Sequence, residues 1–191
     1  IIGSLTRSVP AKDLPMMLAA FAQFTAVEGA HLVLAGEGVD QHNVGLQAQI
    51  VDLGLQHRVH TLGIRQDSQR LIRAFDFATL SSRSEALPLF LVEAMALGIP
   101  CVATRVGDIP AVVANYGVLV AAGASEDLAA AWTKVLSWTA AEKHSKVQAA
   151  WEHIQANFSL EKMQLQHLAV IHAVLAADES SQASLAEQAV S

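Results

Sequence analysis

The sequence predicts an α/β fold: a Rossmann-like, doubly wound, mostly parallel sheet of about six strands with extra C-terminal helices. Up to about residue 139, short apolar and β-branched segments alternate with longer segments of helical periodicity, which is the pattern of repeated β-α units. After that point the strand-like segments stop, and two amphipathic helical segments follow, over 140–158 and 159–176. Together these observations indicate one sheet, covered by helices on both faces and closed by helices at its C-terminal end.

Six segments have the length and composition of buried strands. Strands of a parallel sheet that is covered on both faces are apolar along most of their length. Because ligands of such sheets bind outside the carboxyl ends of the strands, the residues that follow each segment are candidates for function. In chain order the segments are "IIGSLTR", "HLVLAGEG", "RVHTLG", "FATLSS", "PCVATR" and "YGVLVA".

The helices between these strands have recognisable starts and ends. Asp13 is a suitable N-cap for a helix that reaches about Val27. A second helix is expected from Leu46 to Leu53, and Gly54 follows it as a typical C-terminal stop. Further helices are expected over 67–75, 88–97, 109–114 and 125–138.

The stretch from Ala86 to Thr104 is apolar or small throughout, except for Glu93. Its length is close to that of a membrane span. Pro88 interrupts it, however, and occupies a favourable first position of a helix. We therefore interpret the stretch as a buried helix followed by a buried strand. A lone carboxylate in such a segment is costly if it is buried without a partner, so Glu93 needs an explanation.

The composition is that of a globular protein. The chain has 191 residues, of which 52% are hydrophobic and 16% charged, and its net charge of -6 argues against a nucleic-acid partner. Cys101 is the one cysteine, and the scattered histidines do not suggest a metal site. The chain begins without methionine, in a strand, so we expect it to be part of a longer protein. Residues 1–178 are expected to form the domain, and the Ser/Gln/Ala-rich residues 179–191 to fray.

Two glutamates flank the start of the helix predicted from Pro88. Seven residues separate Glu85 from Glu93. The free N–H groups of a helix's first turn bind anions, phosphate above all, and a carboxylate can accept two hydrogen bonds from paired sugar hydroxyls. The spacing therefore fits a ligand that carries both phosphate and sugar hydroxyls. Two solvent-facing carboxylates without a ligand explain the spacing equally well.

Two cations follow the first predicted strand. Arg7 and Lys12 bracket "SVPA" before the first helix, and they lie on the side of the sheet where Glu85 is also expected. Two positive charges there would neutralise a diphosphate. An ordinary pair of surface cations is the alternative interpretation.

Six segments in order resemble the C-terminal, donor-binding domain of retaining GT-B glycosyltransferases of the group-one, or family-four, type. The resemblance covers about residues 2 to 175 and includes an Arg-x4-Lys element and a Glu-x7-Glu signature. The segments are "GSLTRSVPAKDLPMMLAAFA", "LVLAGEG", "LGLQHRVHTLG", "SSRSEALPLFLVEAMALGIPCVATRVGDIPAVV", "GVLVAAGASEDLAAAWTKVL" and "FSLEKMQLQHLAVI". The domain would be one half of a GT-B fold.

The resemblance implies a role for each of the four charged residues. Arg7 and Lys12 would contact the diphosphate of a nucleotide-sugar donor and stabilise the departing nucleoside diphosphate. Glu85 would face the donor sugar near the reacting carbon, and Glu93 would hold the ribose hydroxyls. Arg7, Lys12 and Glu85 are thus the expected catalytic residues.

The resemblance also implies two backbone contacts with the donor. The phosphate and sugar would meet one segment, and the base would meet the other. No metal and no further cofactor are expected, because the two cations would match the charge on the leaving group. The segments are Ala86, Leu87, Pro88 and Leu89 for the phosphate and sugar, and Gly63, Ile64 and Arg65 for the base.

For the whole protein, the resemblance implies transfer of a sugar from a nucleoside-diphosphate sugar to a glycan or lipid-linked acceptor, with retention. The acceptor would bind an N-terminal domain that this chain lacks, so the chain alone is expected to be inactive. We expect a role in polysaccharide biosynthesis, in the cytoplasm or at the inner face of the membrane. Any membrane contact would go through the missing domain.

Two departures from the family pattern keep a second function open. The family usually has glycine where Ala86 stands, and the added Cβ would crowd a phosphate close to the backbone. It often has glutamate where Ala111 stands. The alternative is a non-catalytic nucleotide- or sugar-binding module on the same fold. A related nucleotide-sugar epimerase is a third possibility, but the Arg-x4-Lys and Glu-x7-Glu elements argue against it.

Overall fold

The computed structural model describes the fold of residues 1–190 and the side-chain surroundings of residues 1–176. Six strands form one sheet in the order β3-β2-β1-β4-β5-β6, and all neighbouring strands are parallel. Each strand lies within one of the six predicted segments, so the doubly wound parallel sheet is confirmed. The strands are β1 (Ile2–Leu5), β2 (Leu32–Ala35), β3 (Val59–Thr61), β4 (Phe77–Leu80), β5 (Cys101–Thr104) and β6 (Val118–Val120).

The strand order reverses between β1 and β4. Ile2 of β1 pairs with Leu32 of β2 on one side and with Phe77 of β4 on the other. From β1 the chain builds the sheet outwards through β2 and β3, and from β4 it builds outwards in the opposite direction. Because β-α-β crossovers are right-handed, the helices that connect the strands of one half lie on the opposite face from those that connect the strands of the other half. The loops after β1 and β4 therefore separate at their carboxyl ends and leave a crevice, which is where ligands of such sheets bind.

The helices follow the predicted alternation. The chain divides into two compact units, Ile1–Ile154 and the residues from Gln155 onward. The domain boundary expected at residue 178 stays a prediction, and the expected fraying of 179–191 lies outside the residues whose side chains are described. The helices are α1 (Leu14–Gln23), α2 (Val44–Asp52), α3 (Ser68–Ile72), α4 (Leu89–Ala96), α5 (Ile109–Val113), α6 (Ser125–Leu136), α7 (Ala140–Phe158) and α8 (Leu160–Val190).

The core of the first unit lies between the sheet and the packed pair α1 and α6. Trp132 of α6 is fully buried, and its indole N–H donates to Thr79 Oγ1 of β4 at 3.0 Å. Phe24 packs edge-on against Trp132, with ring centroids 5.8 Å apart. This contact explains why α1 ends at Gln23 instead of the predicted Val27: Phe24 leaves the helix with extended backbone and turns its ring into the core.

The long apolar stretch around Glu93 forms a helix and a strand, as predicted. Its helix is α4 and its strand is β5, which is buried along its whole length. None of the described helices combines the length and the apolar character that crossing a membrane requires. Glu93 itself is exposed on α4, so no desolvation of its carboxylate has to be offset in the ligand-free chain.

Candidate functional site

A cavity of about 330 Å³ opens at the carboxyl ends of β1 and β4. It lies in the crevice where the strand order reverses, and it brings together residues from three loops that are far apart in sequence. Two cations and one carboxylate are among its walls. The lining residues are Leu5, Thr6, Arg7, Lys12, Ala35, Gly36, Leu80, Glu85, Leu87, Pro88, Leu89 and Phe90.

The carboxylate of Glu85 is held by two donors. Lys12 Nζ donates to Glu85 Oε1 in an ion pair, and Ser82 Oγ donates to the same oxygen at 2.8 Å. The side chains of Lys12 and Glu85 are 18% and 8% exposed, and Ser82 is fully buried. A carboxylate bonded in this way has few accessible rotamers, so its position is set before any ligand arrives.

The backbone of Glu85 rests against the glycine of the "GDIP" turn. Gly107 adopts a φ of +50°, and a Cβ built on it would lie 1.7 Å from the carbonyl oxygen of Glu85. Only glycine fits such an approach in this conformation. In the adjacent strand end, Thr104 Oγ1 donates to the carbonyl oxygen of Ser82 at 2.6 Å. The loop after β5 therefore supports the loop that carries Glu85.

The floor of the cavity is formed where the loops after β1 and β2 meet. Gly36 has a φ of +139°, and a Cβ there would lie 1.9 Å from the carbonyl oxygen of Thr6. This close approach requires glycine and keeps the floor free of side chains. The start of α4 forms the opposite wall, with Leu87 and Leu89 exposed at the cavity. Arg7 is also exposed and faces the same space.

A second cavity, of about 280 Å³, adjoins the first and shares Leu5, Ala35 and Gly36 with it. Its other walls are Glu37, Ile64, Arg65 and Ser68. The backbone of Gly63 joins the two loops that form it. Its N–H donates to Val39 O at 2.7 Å, and its carbonyl accepts from Gly36 N–H at 2.8 Å.

Arg65 forms an ion pair within the loop after β3. Its Nε and Nη2 donate to the two carboxylate oxygens of Asp67 at 2.8 and 2.9 Å. The hydrogen bond from Arg65 holds the pKa of Asp67 below its ordinary value, and the same bond raises the pKa of Arg65. Both side chains are exposed, so this pair orients the loop but adds little to the stability of the fold.

A comparison with known protein families identifies the family of this chain. The model of the family described as "Glycosyl transferases group 1" matches residues 1–137. The chain belongs to this family. This confirms the expected family membership. The matched range also includes every residue that lines the two cavities.

Two curated proteins with different names are similar to this chain. N-acetyl-alpha-D-glucosaminyl L-malate synthase of Bacillus anthracis is 32% identical over 84% of the chain and 42% of its own length. A D-inositol 3-phosphate glycosyltransferase of Segniliparus rotundus is 33% identical over 66% of the chain and 30% of its own length. The chain therefore spans less than half the length of these relatives.

Solved structures with the same architecture are GT-B glycosyltransferases. The Anabaena protein HepE, solved in complex with UDP and glucose, superposes with a TM-score of 0.81 at 26% identity. The superposition covers 90% of this chain and 48% of HepE. Sucrose-phosphate synthase of Thermosynechococcus elongatus has the same TM-score at 24% identity, covering 92% of this chain and 46% of the synthase. The predicted fold, one half of a GT-B fold, is confirmed.

Within this glycosyltransferase domain the structure gathers most of the predicted site residues. Arg7, Lys12 and Glu85 line one cavity together with Leu87, Pro88 and Leu89. Ile64 and Arg65 line the adjoining cavity, and Gly63 supports its wall. Ala86 and Glu93 are exposed and do not line either cavity. The roles of all these residues stay predictions.

Glu93 projects from the second turn of α4. The cavity is lined by the first residues of that helix, Leu89 and Phe90, so a ligand reaches Glu93 only if it extends past the helix start. The backbone of Ala86 shows no need for the glycine that the family usually has at this position. In the described residues, the non-glycine residues with positive φ are Asp13 and Ala114, so the backbone of Ala86 is not in a conformation that favours glycine.

Sequence reasoning missed three residues of this site: Ser81, Ser82 and Arg83. They lie in the loop that leads from β4 to Glu85, and each donates a hydrogen bond to a residue of the site or of the loop after β1. No local pattern marks them, because their acceptors are either far away in sequence or defined only by the folded loop. Asp13 was identified as a helix cap, and its carboxylate does accept from Met16 N–H at 3.4 Å.

The single cysteine, Cys101, lines neither cavity. Cys101 is buried in β5, and burial raises the pKa of its thiol, which fits the small apolar packing role of a free cysteine. In the part of the chain that the structure describes, no three His, Cys, Asp or Glu side chains come together as metal ligands.

Proposed function

We propose that this chain is the donor-binding half of a retaining glycosyltransferase that transfers a sugar from a nucleoside-diphosphate sugar to a glycan or lipid-linked acceptor. One observation carries the proposal. Arg7, Lys12 and Glu85 reach one cavity beside the start of α4, at the point where the strand order of a parallel sheet reverses. Cations and a helix N-terminus suit a diphosphate, and a carboxylate suits sugar hydroxyls.

The two cations would bind the diphosphate of the donor. Charge builds up on the departing nucleoside diphosphate as the bond to the sugar breaks. Donors that are already in place stabilise this charge without reorganising during the reaction. Lys12 is held by Glu85 in the ligand-free chain, so it would share its three N–H donors between the carboxylate and an incoming phosphate. Arg7 is exposed and free to approach from the other side.

Glu85 would hold the donor sugar and favour the positive charge that develops at its reacting carbon. Glu85 lines the cavity, and the position of its carboxylate is set by Lys12 and Ser82. Retention is part of the proposal because the Arg-x4-Lys and Glu-x7-Glu elements resemble those of retaining group-one enzymes. It is tested by determining the anomeric configuration of the product by NMR.

The adjoining cavity would take the nucleobase, and we propose uracil as the base. The support comes from HepE, which has been solved with UDP and with UDP-glucose. The two cavities share part of their walls, as expected for one extended ligand whose phosphates lie in the first cavity and whose base lies in the second. The ribose would link the two parts of the ligand, and Glu93, which lies outside both cavities, would bind its hydroxyls where the ribose extends past the start of α4.

The acceptor would bind the rest of the protein, since the chain covers less than half of its relatives. We propose a reaction in the cleft between the two halves, without a metal, in the cytoplasm or at the inner face of the membrane. The products would serve polysaccharide biosynthesis.

The decisive experiment measures UDP binding by calorimetry on the full-length protein, with GDP and ADP for comparison. We expect UDP to bind, and Lys12→Ala to weaken it by roughly tenfold or more, because hydrogen bonds to charged groups contribute about 1.5–3 kcal/mol. Lys134→Ala, at an exposed lysine of α6, is the control and should leave the affinity unchanged. If none of the three nucleotides binds at millimolar concentration, the proposal is wrong.

Transfer separates the enzyme from the alternative, a non-catalytic binding module. Ala86 and Ala111 stand where the family often has glycine and glutamate, and these departures motivate the alternative. The full-length protein is incubated with UDP-glucose and other UDP-sugars, and released UDP is measured with and without a glycan acceptor. UDP binding without release from any of these sugars would favour the module.

A further inference from the structure

Asp13 combines three features that a helix cap alone does not require. First, it lies directly after Lys12 in the sequence. Second, its backbone is in the left-handed region, with a φ of +47° and a ψ of 52°. Third, Asp13 is only 5% exposed. N-cap residues normally have extended backbone, and a buried carboxylate needs a partner. Its Oδ1 accepts from Met16 N–H, which is its capping bond.

The second carboxylate oxygen of Asp13 leads to another loop. Arg83 Nε donates to Asp13 Oδ2 at 2.7 Å, across 70 positions of sequence. The two partners are unequal, because the side chain of Arg83 is 67% exposed and that of Asp13 is 5% exposed. Arg83 is therefore the solvent-side partner of a buried negative charge.

Further hydrogen bonds join the same pair of segments. Ser81 is fully buried, and its Oγ lies 2.8 Å from Lys12 O and 3.0 Å from Asp13 O. The backbone N–H of Arg83 donates to Ala11 O at 2.8 Å. The turn that ends in Asp13 is thus fastened to the loop after β4 by a backbone bond, a hydroxyl and an ion pair.

The positions of these bonds matter because each end lies next to a charged residue of the cavity. Asp13 follows Lys12 in sequence, and Arg83 precedes Glu85 by two residues. The left-handed backbone of Asp13 sets the direction in which the chain passes from Lys12 into α1. A shift of this turn would therefore move the Cα of Lys12, and with it the ammonium group that meets Glu85.

We propose that Asp13 and Arg83 form a positioning pair for Lys12: their ion pair holds the turn after β1 against the loop after β4, so that the Lys12 ammonium group is oriented towards the diphosphate of the donor. This inference rests on the proposed function, because it assigns Lys12 a phosphate to bind. Neither residue touches the ligand in this arrangement, and both act through Lys12.

The test is a double-mutant cycle in the full-length protein, read out as UDP affinity and as Tm. Arg83→Gln should weaken UDP binding by roughly threefold to tenfold, which is a coupling typical of residues in one hydrogen-bond network. In a Lys12→Ala background the same substitution should not weaken binding further, because the residue through which Arg83 acts is gone. A purely structural role would lower Tm equally in both backgrounds and would not depend on Lys12.

A second variant separates positioning from folding. Asp13→Asn keeps the capping oxygen and the tolerance for left-handed backbone, and it leaves no unpaired buried charge. It should weaken UDP binding to a similar extent as Arg83→Gln with a smaller loss of Tm. Arg73→Gln, at an exposed arginine that lines neither cavity, is the matched control and should change neither quantity.

The outcomes distinguish this inference from the function on which it rests. If wild-type protein binds no nucleotide, the proposed function and the inference both fail. If UDP binds and Lys12→Ala weakens it, while Arg83→Gln and Asp13→Asn leave the affinity unchanged, the function stands and the positioning pair is wrong. An equal affinity loss from Arg83→Gln in both backgrounds would also overturn the pair.

Discussion

The loops around the candidate site are held in two different ways. We call residues 10–13 and 81–85 the clamped region, because a backbone bond, a hydroxyl and two ion pairs join one segment to the other. The loop after β3, residues 62–67, is joined to the loop after β2 by two backbone hydrogen bonds of Gly63, and its ion pair, Arg65 with Asp67, is exposed and lies within the loop. Ion pairs between distant segments fix where charged side chains lie relative to each other, whereas an ion pair within one loop orients only the side chains of that loop.

This difference matches what each region would bind. Charge stabilisation requires donors that are placed before the reaction begins, so the region proposed for the diphosphate and sugar is clamped. A base is uncharged, so the region proposed for it does not need side-chain charges that are placed in advance. Gly63, with a φ of +65°, gives this loop its turn. The following experiments test the contrast, from the largest expected effect to the smallest.

Glu85→Ala should have the largest effect, because Glu85 lies in the clamped region. The change leaves Ser82 and Lys12 without their acceptor, and an unsatisfied buried donor costs about 1–3 kcal/mol of stability. The rate of sugar transfer should fall by about 100-fold or more, the loss expected when one electrostatic contact to the reacting centre is removed. Both are measured on the full-length protein, by denaturant unfolding and by UDP release. Glu28→Ala, at an exposed glutamate, is the control; unchanged stability would contradict the clamp.

Glu93→Gln should weaken ligand binding without lowering the stability of the protein. Glu93 is exposed and does not line the cavity, so the ligand-free protein should keep its Tm. If Glu93 accepts hydrogen bonds from ribose, UDP affinity should fall by roughly tenfold, since bonds to a charged group contribute about 1.5–3 kcal/mol. Calorimetry and thermal unfolding are compared on the same samples. A loss of Tm with unchanged UDP affinity would show that Glu93 is structural.

Gly63→Ala and Arg65→Ala should separate backbone from side chain in the loop after β3. A Cβ on left-handed backbone costs about 1–2 kcal/mol, so Gly63→Ala should shift the loop. A shift that costs about 1 kcal/mol of binding would weaken UDP by roughly fivefold. Arg65→Ala removes a side chain whose proposed contact is made by the backbone, and its Kd should stay within about twofold, as for an exposed pair. If Arg65→Ala weakened UDP binding more than Gly63→Ala did, the base contact would be assigned to the guanidinium group of Arg65.

The smallest effect concerns pH and Asp67. Arg65 lowers the pKa of Asp67 in the folded chain. A lowered folded pKa stabilises the protein above the unfolded value, about 3.9 for Asp, and this contribution is lost as pH falls through the folded pKa. Asp67→Asn should therefore lower Tm slightly at pH 7, and the difference should shrink as the pH falls below the unfolded value. The exposed Asp52→Asn is the control. A difference that grows on acidification would contradict the assignment.

Local sequence was sufficient for the elements themselves. The alternation of strands and helices, the cap at Asp13 and the stop at Gly54 depend on neighbouring residues, so they are visible in the pattern. The family resemblance added the expected role of each charged residue. Helix ends were predicted less well where a buried contact decides them, as at Phe24, whose ring leaves α1 to meet Trp132.

By itself, then, the sequence determined the fold class, the six strands and the choice of Arg7, Lys12 and Glu85. Only the tertiary structure decided that β1 lies beside β4, which brings Lys12 to Glu85 across 73 positions of sequence. It also decided that Arg83 neutralises Asp13 and that Glu93 lies outside the cavity. The physical reason is that strand order and contacts between loops depend on packing over the whole sheet, and residues far apart in sequence carry no local sign of it.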